Sequence, residues 1–264
     1  MRITIIGVGN MGGAIAKGLV RKKLCKAADI TLANPHIDKI KRLQAFDPDF
    51  MACSNNAEAI RLADIVILAV KPWLVEQVIK EIAPQFDCQT QILVSVAAGI
   101  TFAQIESFFV VDGQKKKPTL FRVIPNTAIE VLSSMTFVAS YNATKTQEEQ
   151  LLAIFDNLGS AMLIKEEQMA AGTALASCGI AFAMRYIRAA SVGGVELGFY
   201  PDQATEIVLK TVRGAVDLLL AHSSNPEQEI DKVTTPGGIT IKGLNEMEIA
   251  GFTQAVVRGL LKCK

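Results

Sequence analysis

Short apolar runs alternate with helix-like segments along the first part of the chain, and the alternation stops after about Lys165. Ile3–Ile6 is a β-branched run of strand length, and Met11, Ile15 and Leu19 then recur at four-residue spacing on one helix face. Ile30–Ala33 predicts a second strand, closed by Asn34-Pro35, and a helix over Asp38–Phe46 follows with Ile40 and Leu43 inward. Ile65–Val70 is apolar without a break between Asp64 and Lys71-Pro72, the mark of a strand covered on both faces. A helix over Trp73–Ile82 turns Val75, Val78, Ile79 and Ile82 inward. Strands over Ile92–Ser95, Thr119–Ile124, Thr136–Ala139 and Met162–Ile164, with a helix over Gln147–Leu158, complete this part. Such alternation predicts an α/β domain, a Rossmann-like parallel sheet with right-handed crossovers, over residues 1–164.

The remainder, 165–264, predicts an all-helical domain. Gln168–Gly198 reads as one long helix rich in Ala and Gly, and Pro201–His222 opens with Pro at a first helical position. A short helix over Pro226–Lys232, a loop over Thr234–Gly238 and a last helix over Thr240–Leu261 follow.

Composition adds a question and helps to close it. Half of the 264 residues are hydrophobic and 20% are charged, and the mean hydropathy is +0.31. The longest uncharged stretches, Gln89–Ile105 and Met169–Met184, are diluted by Gln, Ser, Gly, Thr and Ala. Neither supplies the ~20 strongly apolar residues of a membrane span. The surplus apolarity is therefore expected inside the fold and between subunits. Net charge is +1, from 27 Lys+Arg against 26 Asp+Glu, and no basic stripe is interleaved with aromatics, so a nucleic-acid partner is not expected. Lys115-Lys116-Lys117 reads as a solvated loop. The five cysteines (Cys25, Cys53, Cys88, Cys178, Cys263) are scattered, with only His36 and His222 beside them, so no metal site is expected. With no leader-like segment after Met1, a cytoplasmic location with reduced thiols is the expectation.

Gly7-Val8-Gly9-Asn10-Met11-Gly12 is a G-x-G-x-x-G between the first strand and the first helix. There it acquires a specific physical sense: Gly7 for the tight turn, Gly9 for close approach of a pyrophosphate, Gly12 for helix–strand packing, and a helix N-terminus facing the phosphates. Dinucleotide binding follows from that context. An NAD site usually carries Asp or Glu about 20 residues further on, at the end of the second strand. Here Leu32-Ala33-Asn34-Pro35-His36 holds no carboxylate before Asp38. Asn34 can donate to a 2′-phosphate, and His36 or Lys39 can add positive charge. NADP is therefore the favoured cofactor, with NADPH preferred and NADH possible.

Together these segments resemble the pyrroline-5-carboxylate reductase family. Its members open with a strand and G-x-G-x-M-G, as Gly7–Gly12 does with Met11. The likeness continues through Asn56, Ala69-Val70-Lys71-Pro72, and Ser95-Val96-Ala97-Ala98-Gly99-Ile100-Thr101. Arg122-Val123-Ile124-Pro125-Asn126-Thr127 is similar to the family's R-x-M-P-N-T, and Val233–Thr240 to its V-[ST]-S-P-G-G-x-T. The family's S-G-S-G-P-A-Y, which helps form its substrate pocket, is replaced by Ala176-Ser177-Cys178-Gly179-Ile180-Ala181-Phe182, and Ala128 stands where a proline is usual.

The resemblance implies reduction of 1-pyrroline-5-carboxylate to L-proline by hydride from NAD(P)H, the last step of proline biosynthesis. It implies cofactor contacts at Gly7, Gly9, Asn10, Met11, Gly12, Asn34, Pro35, Asn56, Ala69, Val70, Lys71, Pro72, Ala97, Gly99, Pro125 and Asn126. It places the substrate carboxylate at Thr235 and the backbone of Gly238 and Ile239, and puts the catalytic Thr240 hydroxyl near the ring nitrogen. It also implies a homodimer or higher homo-oligomer paired through the helical domain. Read from the residues alone, Thr235 and Thr240 serve equally well as helix caps, and Cys178 as a small core residue. A chain with two histidines suits this chemistry, because a protonated imine reaches the site already electrophilic. Two rival readings are a related 3-hydroxy-acid dehydrogenase and a non-catalytic NADP-binding protein. The first needs a lysine with Asn four residues later, whereas Lys210 and Lys242 are followed at that distance by Gly214 and Glu246.

Overall fold

The computed structural model describes residues 1–263. The chain divides into two compact units, Met1–Ser177 and a second beginning at Cys178. In the first, in chain order, lie β1 (Ile3–Ile6), α1 (Asn10–Arg21), β2 (Ile30–Ala33), α2 (Ile37–Gln44), β3 (Met51–Cys53), α3 (Asn56–Ala59) and β4 (Ile65–Leu68). They are followed by α4 (Val75–Ile82), β5 (Ile92–Ser95), α5 (Phe102–Phe108), β6 (Val110–Val111), β7 (Gln114–Lys115) and β8 (Thr119–Ile124). The unit is completed by β9 (Ser134–Tyr141), α6 (Lys145–Asp156), β10 (Gly159–Leu163) and α7 (Met169–Gly172).

Eight strands form one sheet in the order β10-β9-β8-β5-β4-β1-β2-β3. All residues of β1, β4 and β5 are buried, as continuous apolar runs require when helices cover both faces of a sheet. Alternate side chains feed two cores: Ile3, Ile5, Ile15, Leu19 and Ile67 on one face, Ile6, Val66, Leu68, Val75 and Ile79 on the other. The chain winds away from β1 in both directions, to β2 on one side and β4 on the other. That reversal opens a crevice outside the carboxyl ends of these strands.

The Rossmann-like parallel sheet expected from the sequence is present, with one antiparallel pair inside it. β8 and β9 are antiparallel, while β9 and β10 pair in parallel. Only the short 3-10 turn Thr127–Val131 and Leu132 (φ 59°) link β8 to β9, and a parallel return needs a longer crossover. Other differences are local. The apolar run ends as a strand at Leu68, and Pro72–Leu74 forms a 3-10 turn before α4. The edge strand β3, Met-Ala-Cys, is apolar but at three residues too short to read as a strand. The lysine run is partly structured: Lys115 belongs to the β6–β7 hairpin, and Lys116 Nζ donates to the Ala83 carbonyl at 3.0 Å, beyond the C-terminus of α4.

The boundary expected after residue 164 marks the end of the sheet, whereas the first compact unit continues to Ser177. Glu166 pairs with Arg122 of β8, and Met169 is buried in the core beside β9. The expected uniform helix over 168–198 is interrupted by a π-helical turn, Thr173–Cys178, where the Thr173 hydroxyl donates to the Met169 carbonyl at 2.7 Å.

The second unit contains α8 (Gly179–Glu196), α9 (Pro201–His222), α10 (Pro226–Val233), α11 (Ile239–Ile249) and α12 (Phe252–Lys262). The last helix expected from the sequence is thus two, parted at Gly251 with φ 83°. α8 and α9 approach closely where Gly194 meets Ala204. Yet Ser191 and Ala204 are the only buried residues recorded among these five helices. Leu197, Leu220 and Ile249 are 82%, 74% and 79% exposed, far beyond scattered surface apolars. One stretch among the described residues, Glu166–Glu196, is long and apolar enough to cross a membrane by length and composition. That departs from the expectation that no segment would qualify.

Candidate functional site

A cavity of about 790 Å³ opens at the carboxyl ends of β1, β2, β4 and β5, where the winding reverses. Its floor is the turn from β1 into α1. Gly7 holds φ 96°, and a Cβ there would lie 2.6 Å from the Ala69 carbonyl oxygen. A Cβ on Gly12 would lie 2.0 Å from the Gly7 carbonyl oxygen. The two glycines let strand, turn and helix close on each other. At Gly9 a Cβ would meet nothing within 4 Å, so its face is open. Gly9 is also the N-cap of α1, with no side-chain capping bond and no acidic residue in the first turn. The unpaired backbone donors at this helix end suit a pyrophosphate.

Four groups of expected cofactor residues come together around the cavity. Gly7, Gly9, Asn10 and Met11 supply the floor; Asn34 and Pro35 close one side beyond β2. Asn56 of α3 and the Ala69–Pro72 segment supply the wall, with Ala97 after β5 beside them. Gly12 lies behind the floor and acts through packing. Gly99 (φ 79°), Pro125 and Asn126 do not line the cavity. Asn126 instead ties the β8–β9 connection: Oδ1 accepts from the Ala128 N–H at 3.0 Å, and Nδ2 donates to the Ala176 carbonyl at 3.4 Å. Each end of that amide makes one bond within the chain, which leaves one N–H of the NH2 group and one lone pair of Oδ1 uncommitted.

At the β2 end, Asn34 is 8% exposed and its Oδ1 accepts from the His36 N–H at 2.9 Å. This turn fixes the amide, leaving its NH2 as the uncommitted end. His36 and Lys39 line the same side. Leu74, Gln77, Val78 and Glu81, on or just before α4, complete the cavity. None of these four was expected as a site residue. Their only signal is that Gln77 and Glu81 stand one helical turn apart, on a helix that follows a strand ending at the site.

In the second unit, Thr235 and Gly238 close a turn in which the Gly238 N–H donates to the Thr235 carbonyl at 2.9 Å. Pro236 and Gly237 (φ 69°) occupy its centre, as a type II turn demands. Gly238 is the N-cap of α11 and carries no side-chain capping bond, so neither Thr235 nor Thr240 is a helix cap. Thr235, Ile239 and Thr240 are exposed. Because the Gly238 N–H is engaged in the turn, the helix-end donors available to an anion begin at Ile239. Cys178 is half-buried rather than core, and a hydrogen bond with Cys263 raises its thiol pKa above the ordinary value, with burial adding to the effect. A thiol so disposed is a poor nucleophile. No cluster of metal-binding side chains is present among the described residues.

Residues 166–264 match the family model for pyrroline-5-carboxylate reductase dimerisation. Residues 2–99 match that for coenzyme F420-dependent NADP oxidoreductases. Pyrroline-5-carboxylate reductase 2 of Dictyostelium discoideum is 38% identical over 98% of this chain and 89% of its own length. The chain belongs to the pyrroline-5-carboxylate reductase family. Reductase 1 of the same organism is also 38% identical, and this chain spans about half of it, 48%. The crystal structure of Plasmodium falciparum pyrroline carboxylate reductase with NADP bound is similar with TM-score 0.88 and 25% identity, covering 100% of this chain and 95% of that one. As a member of the reductase family the chain is an NAD(P)-dependent oxidoreductase with a Rossmann-like sheet domain and a helical region of the dimerisation type.

Proposed function

We propose that this chain reduces 1-pyrroline-5-carboxylate to L-proline in the cytoplasm, with NADPH as hydride donor bound in the cavity at the β1/β4 reversal. The observation that carries this reading is that cavity. Gly7, which cannot carry a side chain, and Gly9, whose face is open, form its floor, and an uncapped helix end faces it, within a chain related over 98% of its length to such a reductase.

A bound nicotinamide cofactor supplies the hydride; the protein positions it and the imine. The Asn34 NH2, with His36 and Lys39, favours a 2′-phosphate, and the missing carboxylate removes the group that would repel it. Asn34→Asp is therefore expected to shift preference toward NADH by roughly tenfold, from like-charge repulsion of about 1.4 kcal/mol. Comparing the Kd of NADPH and NADH by fluorescence titration checks this; an unchanged ratio refutes it.

In residues 165–264, the helical domain, Thr235 and the N-terminal donors of α11 at Ile239 and Thr240 suit a substrate carboxylate. The Thr240 hydroxyl accepts from the protonated ring nitrogen and so orients it for the hydride. Since Thr240 does not cap its helix, Thr240→Ala should fold normally and lose kcat roughly tenfold, the worth of one hydrogen bond to the reacting group. NADPH oxidation with 1-pyrroline-5-carboxylate, alongside a thermal melt, is the measurement. Full turnover in a folded Thr240→Ala variant removes the residue from the mechanism.

The exposed apolar side chains of α8 to α12 support a homodimer or higher homo-oligomer through this unit. The same pairing would cover the Glu166–Glu196 stretch without a membrane; Arg185 and Arg188 lie within it. No nucleic-acid partner is part of this reading.

A further inference from the structure

We propose that Glu81 is a positioning residue for the dinucleotide: its carboxylate holds the Asn56 amide so that the amide oxygen, and not the NH2, is the end that serves the adenosine half. The inference rests on the reading of the cavity as the dinucleotide site. α4 presents two kinds of polar side chain. Glu76 and Lys80 form an exposed ion pair at 2.6 Å. Glu81 takes part in no ion pair among the described residues, and it lines the cavity. Its Oε2 accepts from Asn56 Nδ2 at 2.9 Å.

Asn56 stands at the first position of α3, yet the cap of that helix is supplied by the preceding Asn55, whose Oδ1 accepts from the Glu58 N–H at 2.9 Å. The Asn56 amide is thus unclaimed by local structure. A carboxylate only accepts, so it draws the NH2 toward α4 and turns Oδ1 the other way. That oxygen is shut from solvent and meets no donor of the chain. A buried carbonyl without a partner is unfavourable, and because Asn56 lines the cavity a small rotation of its amide would bring this oxygen to a donor supplied by a ligand. The adenosine half of a dinucleotide carries two such donors, a ribose hydroxyl and the adenine amino group.

A double-mutant cycle on the full chain, read as the Kd of NADPH by fluorescence titration, tests the coupling. Glu81→Ala and Asn56→Ala are each expected to raise Kd about tenfold, and the double variant no further, because Glu81 acts through Asn56. Glu81→Gln, which keeps an acceptor oxygen, should stay within about twofold of the parent. The KM for 1-pyrroline-5-carboxylate at saturating NADPH should not move. Additive losses, or a Glu81→Ala variant that binds like the parent, overturn the proposal while leaving the cavity reading intact. A parent chain that binds no NADPH overturns both. Reduced nicotinamide hypoxanthine dinucleotide phosphate, which lacks the amino group, identifies the donor. If its Kd ignores Asn56→Ala, the amino group is the donor; if it tracks NADPH through every variant, the ribose hydroxyl is.

Discussion

Gly12→Val is expected to abolish NADPH binding, with a loss of more than about a hundredfold in affinity and a lower melting temperature. The site leaves no room for a side chain: a Cβ would lie 2.0 Å from the Gly7 carbonyl oxygen and 3.0 Å from the Ala69 Cβ. The nearest obstacle is backbone, which cannot rotate aside, so α1 must move off β1 and carry the phosphate-facing donors with it. Overpacking of this kind costs about 3 kcal/mol, which corresponds to the stated loss if it falls on the binding geometry. Gly9→Ala is the informative control. Its Cβ meets nothing within 4 Å, so the fold should be kept while the added methyl intrudes on the cavity. Titration of both variants, with melts in parallel, separates packing from approach. A Gly12→Val variant that binds NADPH like the parent would refute the packing role.

Glu166→Ala is expected to lower stability by about 3 kcal/mol without touching the cavity. Glu166 Oε1 meets Arg122 Nη1 at 2.7 Å and also accepts from the Phe102 N–H at 2.7 Å, the first residue of α5. The Arg122 side chain is only 8% exposed, and its Nε is already without a partner. Removing the carboxylate leaves a buried guanidinium uncompensated and the start of α5 untied. The Phe102 ring, 5.9 Å from the guanidinium carbon, is a weak substitute. Urea unfolding should show a lower midpoint with an unchanged slope, and Glu166→Gln, which keeps an acceptor, should lose less. Equal midpoints for parent and Glu166→Ala would mean that the pair contributes nothing.

Much of the sheet domain was legible because its signals are local. Ile3–Ile6, Ile30–Ala33, Ile92–Ser95 and Thr119–Ile124 have the strand limits expected from their apolar runs. The glycine turn was legible because three glycines at fixed spacing have one common structural use after a strand. Strand direction was not. Nothing between Ile124 and Ser134 says that the chain doubles back, since a short connection without a helical period is only visible as an absence. The π-helical turn at Thr173–Cys178 was hidden because helix periodicity does not register one added residue. In the site, residues adjacent to the strand ends were found, whereas Gln77 and Glu81 were missed. They reach the cavity because α4 packs beside these strand ends, a tertiary property. Asn126 shows a related limit: its motif position is visible in the sequence, but the bonds of its amide to Ala128 and Ala176 are not.

The uncovered helices of the second unit also bear on how the chain reaches its working form. A unit that hides almost none of its own apolar side chains cannot finish folding in isolation. With the pairing proposed above, its last step would be an encounter, second-order in protein, that slows as the chain is diluted. Synthesis rate and copy number then set how long these surfaces stay bare, and two sequences sharing them, expressed together, would assemble into mixed particles.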